Sequence, residues 1–417
     1  MKTTSCDILI IGGGSIGLNA AFALLQRGRS VTLLDAHSIG QGSSSGNAGH
    51  IVPSHIVPLA APGVVQTALR WALTDPARSP FGLSLHLSPA YLSWLLQFAR
   101  SCTRANVKNG QEPLKALGLL SAQRYAEIIS RENFACSYRQ SGLLFLYQTP
   151  QAYQEGQAEA ELLRQNGLPA EVLTAQETLQ REPLARPGLA GGVHFTGDAS
   201  LNPAEFLRLL KERVLSLGAD LRENTPVSGF VIEKGTVLRV QTASEEFAPR
   251  LVILAAGAWS PRLGRQLGLN LPIQPARGYS LTAHSARLPA QALLLGERKV
   301  ALTPFPEQGK LRITGRLEVG NMSTTPNPRW LKAIESAARE YLQLEEPLQV
   351  EETWAGLRPC TPTGLPLIGF APGVKNLLLA AGHAMLGLSL GPGTGDLLAR
   401  LAEGQSIPAP LRAFSPQ

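Results

Sequence analysis

Three glycines at 12, 14 and 17, directly after the apolar run Ile8–Ile11, carry the G-x-G-x-x-G spacing. Each has a separate task. Gly12 allows a tight turn, Gly14 lets a pyrophosphate approach the backbone, and Gly17 lets the following helix lie against the strand. That helix begins at Ser15 and Ile16, so its free N–H groups and the positive end of its dipole face the phosphates. A second apolar run, Val31–Leu34, ends in Asp35, a carboxylate suited to accept hydrogen bonds from an adenosine ribose. The alternative is a glycine-rich turn without a ligand. Strand, glycines, helix, strand and acid in that order argue against it. Further on, the loop Gly40–His50 is small, polar and flexible, and beside a dinucleotide site it offers hydroxyls and N–H groups to a phosphate or a flat ring.

The elements around these residues read as follows. A chain of 417 residues is long for one core, so two domains are expected. With 44% hydrophobic and 17% charged residues it is a folded protein. The net charge of +7 is spread without Lys/Arg runs, which argues against nucleic acid and leaves a scattered basic surface, anionic lipid, an acidic partner or cofactor phosphates. Cys6, Cys102, Cys136 and Cys360 form no C-x-x-C and no metal pattern, and fit a reducing compartment. The amino terminus enters the first strand at once, leaving no room for a signal peptide, and no apolar run is long enough to span a bilayer. A cytoplasmic protein is expected.

Helix 15–27 is closed by Gly28. The segment 56–110 holds two apolar helices, 64–73 and 92–99, the second started by Ser88 and Pro89. Leu92, Leu95, Leu96 and Ala99 share one face, and Trp94 and Phe98 another. These faces either pack on the domain or meet a membrane interface. A strand over 143–148 and a helix over 151–165 follow. A meander then runs through 227–233, 237–243 and 251–254, turning at Lys234-Gly235. A second β-rich stretch spans 279–319, with helix 328–342 after it. A strand at 377–379 and a glycine-rich tail to Gly395 close the chain.

Four separated segments converge: Gly12–Gly17 with Asp35; Gly197-Asp198-Ala199-Ser200-Leu201-Asn202-Pro203; Val252–Ser260; and Trp354-Ala355-Gly356-Leu357-Arg358-Pro359, continuing through Thr361–Gly369 to Ala381-Gly382-His383. Over nearly the whole chain they resemble the FAD-dependent D-amino acid oxidase/dehydrogenase superfamily. Asn47-Ala48-Gly49, Ala60-Ala61-Pro62-Gly63 and Gly278-Tyr279-Ser280-Leu281 look most like its bacterial D-amino acid dehydrogenases. The resemblance implies an α/β fold (α+β as a whole). A Rossmann-like FAD-binding domain would comprise 1–55, 185–262 and 350–417. A substrate domain on an antiparallel sheet would comprise 56–184 and 263–349, with 56–110 as an apolar helical insert. The strand 251–254 running into Ala255-Ala256-Gly257 gives a second close-approach glycine, which a single NAD half-site would not need.

By resemblance, Val227 touches adenine through its backbone. Ser43, Ser44, Ser45, Asn47, Ala48 and Gly49 follow the pyrophosphate and flavin edge. Ala256, Gly257, Trp259 and Gly356 belong to the cofactor segments. Gly387, Leu388, Ser389 and Leu390 present N–H groups near the flavin C2 carbonyl, with a helix starting after Gly387. Cys360 sits at a different offset from the family's flavin-attachment pattern, so non-covalent FAD is expected. The implied reaction is oxidative deamination of a D-amino acid, by hydride transfer from Cα to flavin N5. It requires a carboxylate anchor, best supplied by a guanidinium, and Arg358 is the leading candidate unless it pairs with Glu351 or Glu352. Tyr279 is a second carboxylate contact or a buried structural tyrosine. His50 and His55 either steer the substrate amine or are structural, and His383 reads as a packing residue. Met385 stands where glycine-oxidase-like relatives carry an arginine, which suggests a more apolar pocket, and D-proline or a hydroxylated D-proline as substrate. The expected acceptor is not oxygen but a membrane quinone, with peripheral contact through 56–110. The alternatives are an oxygen-using glycine/sarcosine-type oxidase and a flavin subunit of a multi-chain dehydrogenase.

Overall fold

The chain's apolar runs sort into two sheets. The structure, a computed structural model, describes residues 2–74, 79–83, 88–344 and 346–416. In the first sheet the strand Lys2–Ile11 lies between Val31–Leu34 and Glu245–Leu254, parallel to both, and Leu377–Ala381 extends the parallel set beyond Glu245–Leu254. Residues 8–11 and their parallel neighbours are near-continuous apolar runs because both faces of this sheet are covered. Ile8 and Ile10 face the helices Ser15–Leu25 and Gly391–Ala402. Leu9 and Ile11 face the meander side with Val252 and Leu254. The two helices cross closely. A Cβ on Gly395 would lie 2.5 Å from Asn19 O, which accounts for part of the glycine-rich tail.

The second sheet runs in the order 349–360, 274–284, 310–319, 300–305, 292–295, 143–147, 191–195, 171–174. It is antiparallel except where 292–295 meets 143–147 and where Phe81–Leu83 joins Lys310–Val319. Helix Pro328–Tyr341 buries Ile334, Ala337, Ala338 and Tyr341 against one face, over Leu281, Leu302 and Ile313. This is the α/β architecture expected from the sequence, with a parallel nucleotide-type sheet and an antiparallel partner.

Several elements fall differently from the sequence reading. Strands 191–195 and 349–360 hydrogen-bond into the second sheet, although they lie within segments 185–262 and 350–417 grouped with the nucleotide unit. Contiguity in sequence does not reveal a distant antiparallel partner. The helix Arg104–Glu132 crosses the expected insert boundary at 110 and packs Leu114, Leu117, Tyr125 and Ile128 on the nucleotide-domain core. In helix Pro89–Ser101, capped by Ser88, the aromatic flank is the packed one. Trp94 is buried and its Nε1–H donates to Cys360 O at 2.9 Å, while Leu92 and Leu96 are about half exposed.

Candidate functional site

A cavity of about 660 Å³ opens where the carboxyl ends of the parallel strands face the second sheet. That is within the range of cofactor pockets and at the place where open α/β sheets bind ligands. Gly12, Gly14, Ser15, Ile16, Asp35, Ser43, Ser44, Asn47, Val227, Ala256, Gly257 and Trp259 line it, and from the far side so do Trp354, Gly356, Arg358, Gly387 and Leu388.

The glycines divide by cause. Gly12 adopts φ +107°, and a Cβ there would sit 2.5 Å from Ala255 O. A Cβ on Gly17 would lie 1.8 Å from Gly12 O, so the protein itself requires both glycines. Gly14 has ordinary extended backbone, and its Cβ would meet nothing closer than Ser44 Oγ at 3.5 Å. Its missing side chain leaves space that no protein atom uses. Asp35 accepts from the N–H groups of Gly13 (2.7 Å) and His37 (2.8 Å), which fixes its carboxylate at the cavity wall.

The loop after Asp35 is tied from three directions. Ser44 Oγ accepts from Ser15 N–H (3.1 Å), and Ser43 Oγ accepts from Leu357 N–H (3.0 Å). The buried Arg312 donates to Ser45 O (2.7 Å) and Asn47 O (3.2 Å) and pairs with Glu352. Ser45, Ala48 and Gly49 shape this loop without lining the cavity. Ala48 O accepts from Thr303 Oγ1, and Asn47 Oδ1 accepts from Gly49 N–H. Ser389 and Leu390 also stand back. Ser389 Oγ accepts from Val52 N–H, and its carbonyl accepts from Ser121. The expected helix after Gly387 begins at Gly391 instead, following a short 3₁₀ turn at Ala384–Leu386. Leu390 gives no side-chain cap, and Pro392 in the first turn is the sequence signal for that start.

Arg358 lines the cavity opposite the glycine motif. Its Nη1 donates to Arg316 O at 2.7 Å, and it forms no ion pair among the described residues. Glu351 is held by Lys310 and Glu352 by Arg312, which removes the structural pairing the sequence left open. Burial lowers its pKa, yet a guanidinium remains charged at neutral pH. A cation with no counter-ion among the described residues, set in a cavity wall, is a candidate anchor for an anion.

The other proposed contacts do not line the cavity. Tyr279 is fully buried, and its hydroxyl donates to Glu318 Oε2 at 2.8 Å, a carboxylate shared with Arg277. His50 Nε2 meets Thr303 Oγ1 at 3.0 Å, and His55 Nδ1 meets Ser54 Oγ at 3.2 Å. Burial pushes both imidazoles down to about 4. His383 does line the cavity, but it is held on Thr394 and pushed down to about 3 by burial. All three are neutral at physiological pH. Between about 4 and 6.5 the folded chain binds fewer protons at His50 and His55 than the unfolded chain, so these residues add stability as pH rises through that window. His50→Gln and His55→Gln are therefore expected to leave the shape of the kcat/KM pH profile above pH 5 unchanged. A lost or displaced limb in either variant would contradict this.

Residues 7–401 match the family described as FAD dependent oxidoreductase, DAO. The chain belongs to this DAO family. Its cofactor is FAD. The D-amino acid dehydrogenase of Cereibacter sphaeroides is 31% identical over 406 residues, covering 96% of this chain and 92% of that protein. The D-amino acid dehydrogenase of Paramagnetospirillum magneticum is 30% identical, covering 95% of each. Among solved structures, glycine oxidase from Geobacillus kaustophilus superposes with a TM-score of 0.80 at 25% identity, covering 99% of this chain and 98% of that one.

The residues of this DAO-family protein suit such a cofactor on two local grounds. One is the unused space above Gly14. The other is Thr314, which also lines the cavity. Its Oγ1 is buried and has no hydrogen-bond partner among the described residues, a cost of about 1–3 kcal/mol unless the cavity's occupant meets it. Sequence reasoning missed Thr314 and Arg312. Two polar residues at i and i+2 in the apolar run Leu311-Arg312-Ile313-Thr314 were the available signal, since alternate strand residues share a face. Thr314→Val keeps the shape and removes the hydroxyl. It is expected to weaken FAD or substrate binding by roughly tenfold without lowering the melting temperature of the FAD-free protein. Unchanged affinity for both would show that the hydroxyl has no partner in the loaded site.

Proposed function

We propose that this protein oxidises a small D-amino acid and passes the electrons to an acceptor other than oxygen. The observation that carries the reading is the Arg358 guanidinium, without an ion pair among the described residues and facing the glycine motif across one cavity. Bound FAD supplies a hydride acceptor, N5, for the substrate Cα. The cofactor is held at the pyrophosphate by Gly14, Ser15 and Ser44, and at the ribose by Asp35. Non-covalent binding is favoured because Cys360 lies outside the cavity lining and burial pushes its thiol up to about 12. Arg358 grips both carboxylate oxygens and fixes the plane of the substrate. Among the described residues Asp35 is the only carboxylate in the cavity lining, and two backbone N–H groups engage it. Hydride transfer from a neutral amine requires no protein base.

D-configuration and the acceptor rest on the named relatives. Met385 at the rim, about two-fifths exposed, adds no second cation and suits an apolar side chain such as the ring of D-proline or a hydroxylated D-proline. Leu69, Leu73, Leu92 and Leu96 are exposed on the helices of 64–101, which favours peripheral contact with a membrane carrying a quinone. Among the described residues no helix is long and apolar enough to cross a membrane. Steady-state assays with D- and L-amino acids, comparing a dye acceptor with oxygen, test the reading. Faster turnover of a D-amino acid with dye than with oxygen is expected. Turnover confined to oxygen, or to L-amino acids, would overturn it.

A further inference from the structure

Strands 274–284 and 349–360 place Gly278 directly opposite Gly356, which lines the cavity, so two residues without side chains lie side by side next to it. Both glycines are roofed by side chains. A Cβ on Gly356 would strike the Trp354 ring at 2.0 Å. A Cβ on Gly278 would lie 2.2–2.4 Å from Nη1, Cζ and Nη2 of Arg358. The guanidinium thus lies flat on Gly278. The backbone does not demand glycine there, because Gly278 is not among the residues with positive φ. Across its other edge the pairing with strand 310–319 shifts register, from Arg277↔Glu318 to Tyr279↔Gly315. Arg316 and Leu317 therefore oppose Gly278 in a bulge, and bulges re-aim groups beside functional sites. Arg316 takes φ +64° there, and its carbonyl accepts from Arg358 Nη1 at 2.7 Å. Its own side chain is held away, over Trp330 and on Ser79 O.

We infer that Gly278 is a positioning residue. Its missing side chain and the bulged Arg316 carbonyl together set the plane and direction in which Arg358 meets a substrate carboxylate. This rests on the reading of Arg358 as the carboxylate anchor. The group that an added methyl would strike is the far end of a flexible side chain, so Gly278→Ala can fold by displacing the guanidinium alone. The holoenzyme variant is expected to raise KM by roughly tenfold or more and to lower kcat with it, as misdirection of the anchor requires, with FAD content and melting temperature near those of the parent. In an Arg358→Lys background, which has no planar group over residue 278, the same methyl should cost less than about twofold, the non-additivity expected of contacting residues. A KM within twofold of the parent for Gly278→Ala, or an equal cost in both backgrounds, would overturn the inference. Were Gly278→Ala alone not to fold, recovery of folding in the double variant would support it and failure to recover would refute it. No KM effect from Arg358→Lys alone would instead remove the anchor reading.

Discussion

Lysine in place of Arg358 is expected to cost about 2 kcal/mol of transition-state stabilisation, roughly thirtyfold in kcat/KM, through a higher KM and a lower kcat. The change retains a positive charge. What it removes is the fork. A guanidinium offers two parallel N–H donors to the two oxygens of a carboxylate, whereas an ammonium offers a point charge on a mobile stem. Arg316 O anchors one guanidinium nitrogen in the free protein, which aims the remaining donors. Without that orientation Cα would sample many positions above the flavin, so kcat falls along with binding. Steady-state kinetics on the FAD-loaded variant check this. Unchanged kcat/KM would take Arg358 out of the site.

Valine in place of Gly14 is expected to give a colourless protein that folds normally. The backbone at Gly14, φ −74° and ψ −169°, is open to any residue, and among the described residues beyond its chain neighbours the nearest atom to the new Cβ is Ser44 Oγ at 3.5 Å. The branched side chain instead fills the approach of the pyrophosphate to the N–H groups at the start of helix Ser15–Leu25. An affinity loss of roughly two orders of magnitude or more follows if those charge-assisted bonds lengthen. Gly17→Ala makes the contrasting case. Its Cβ would sit 1.8 Å from Gly12 O, so it should damage the strand–helix unit itself. Melting curves with and without added FAD separate the two. Valine at 14 keeps the cofactor-free midpoint and loses the shift on adding FAD. Alanine at 17 lowers the cofactor-free midpoint. Retention of FAD by Gly14→Val would mean the phosphates lie elsewhere.

The glycine motif, its two strands and Asp35 were legible in the sequence because they are local. Gly12 to Asp35 form one strand–helix–strand unit, and each residue's task follows from spacing. Arg358 was legible through its motif, and the cavity contains it. The rest depends on register between distant strands. Gly278 acquires meaning only when Gly356 is known to lie opposite it, and Tyr279 leaves the site because Glu318 is close enough to hold its hydroxyl. His50 and His55 follow the loop 40–49 in sequence, yet their imidazoles meet Thr303 and Ser54 and neither lines the cavity. Arg312 ties that same loop from 265–267 positions away, a distance at which no sequence periodicity operates.

The most direct test mixes the purified yellow protein, without oxygen or dye, with single D-amino acids and their L-enantiomers while flavin absorbance is followed. Rapid bleaching by at least one D-amino acid, with its enantiomer inert and the rate cut in Arg358→Lys, is the expected result. Flavin that no D-amino acid reduces, or that Arg358→Lys reduces at the parental rate, would contradict the pairing of FAD and guanidinium across one cavity.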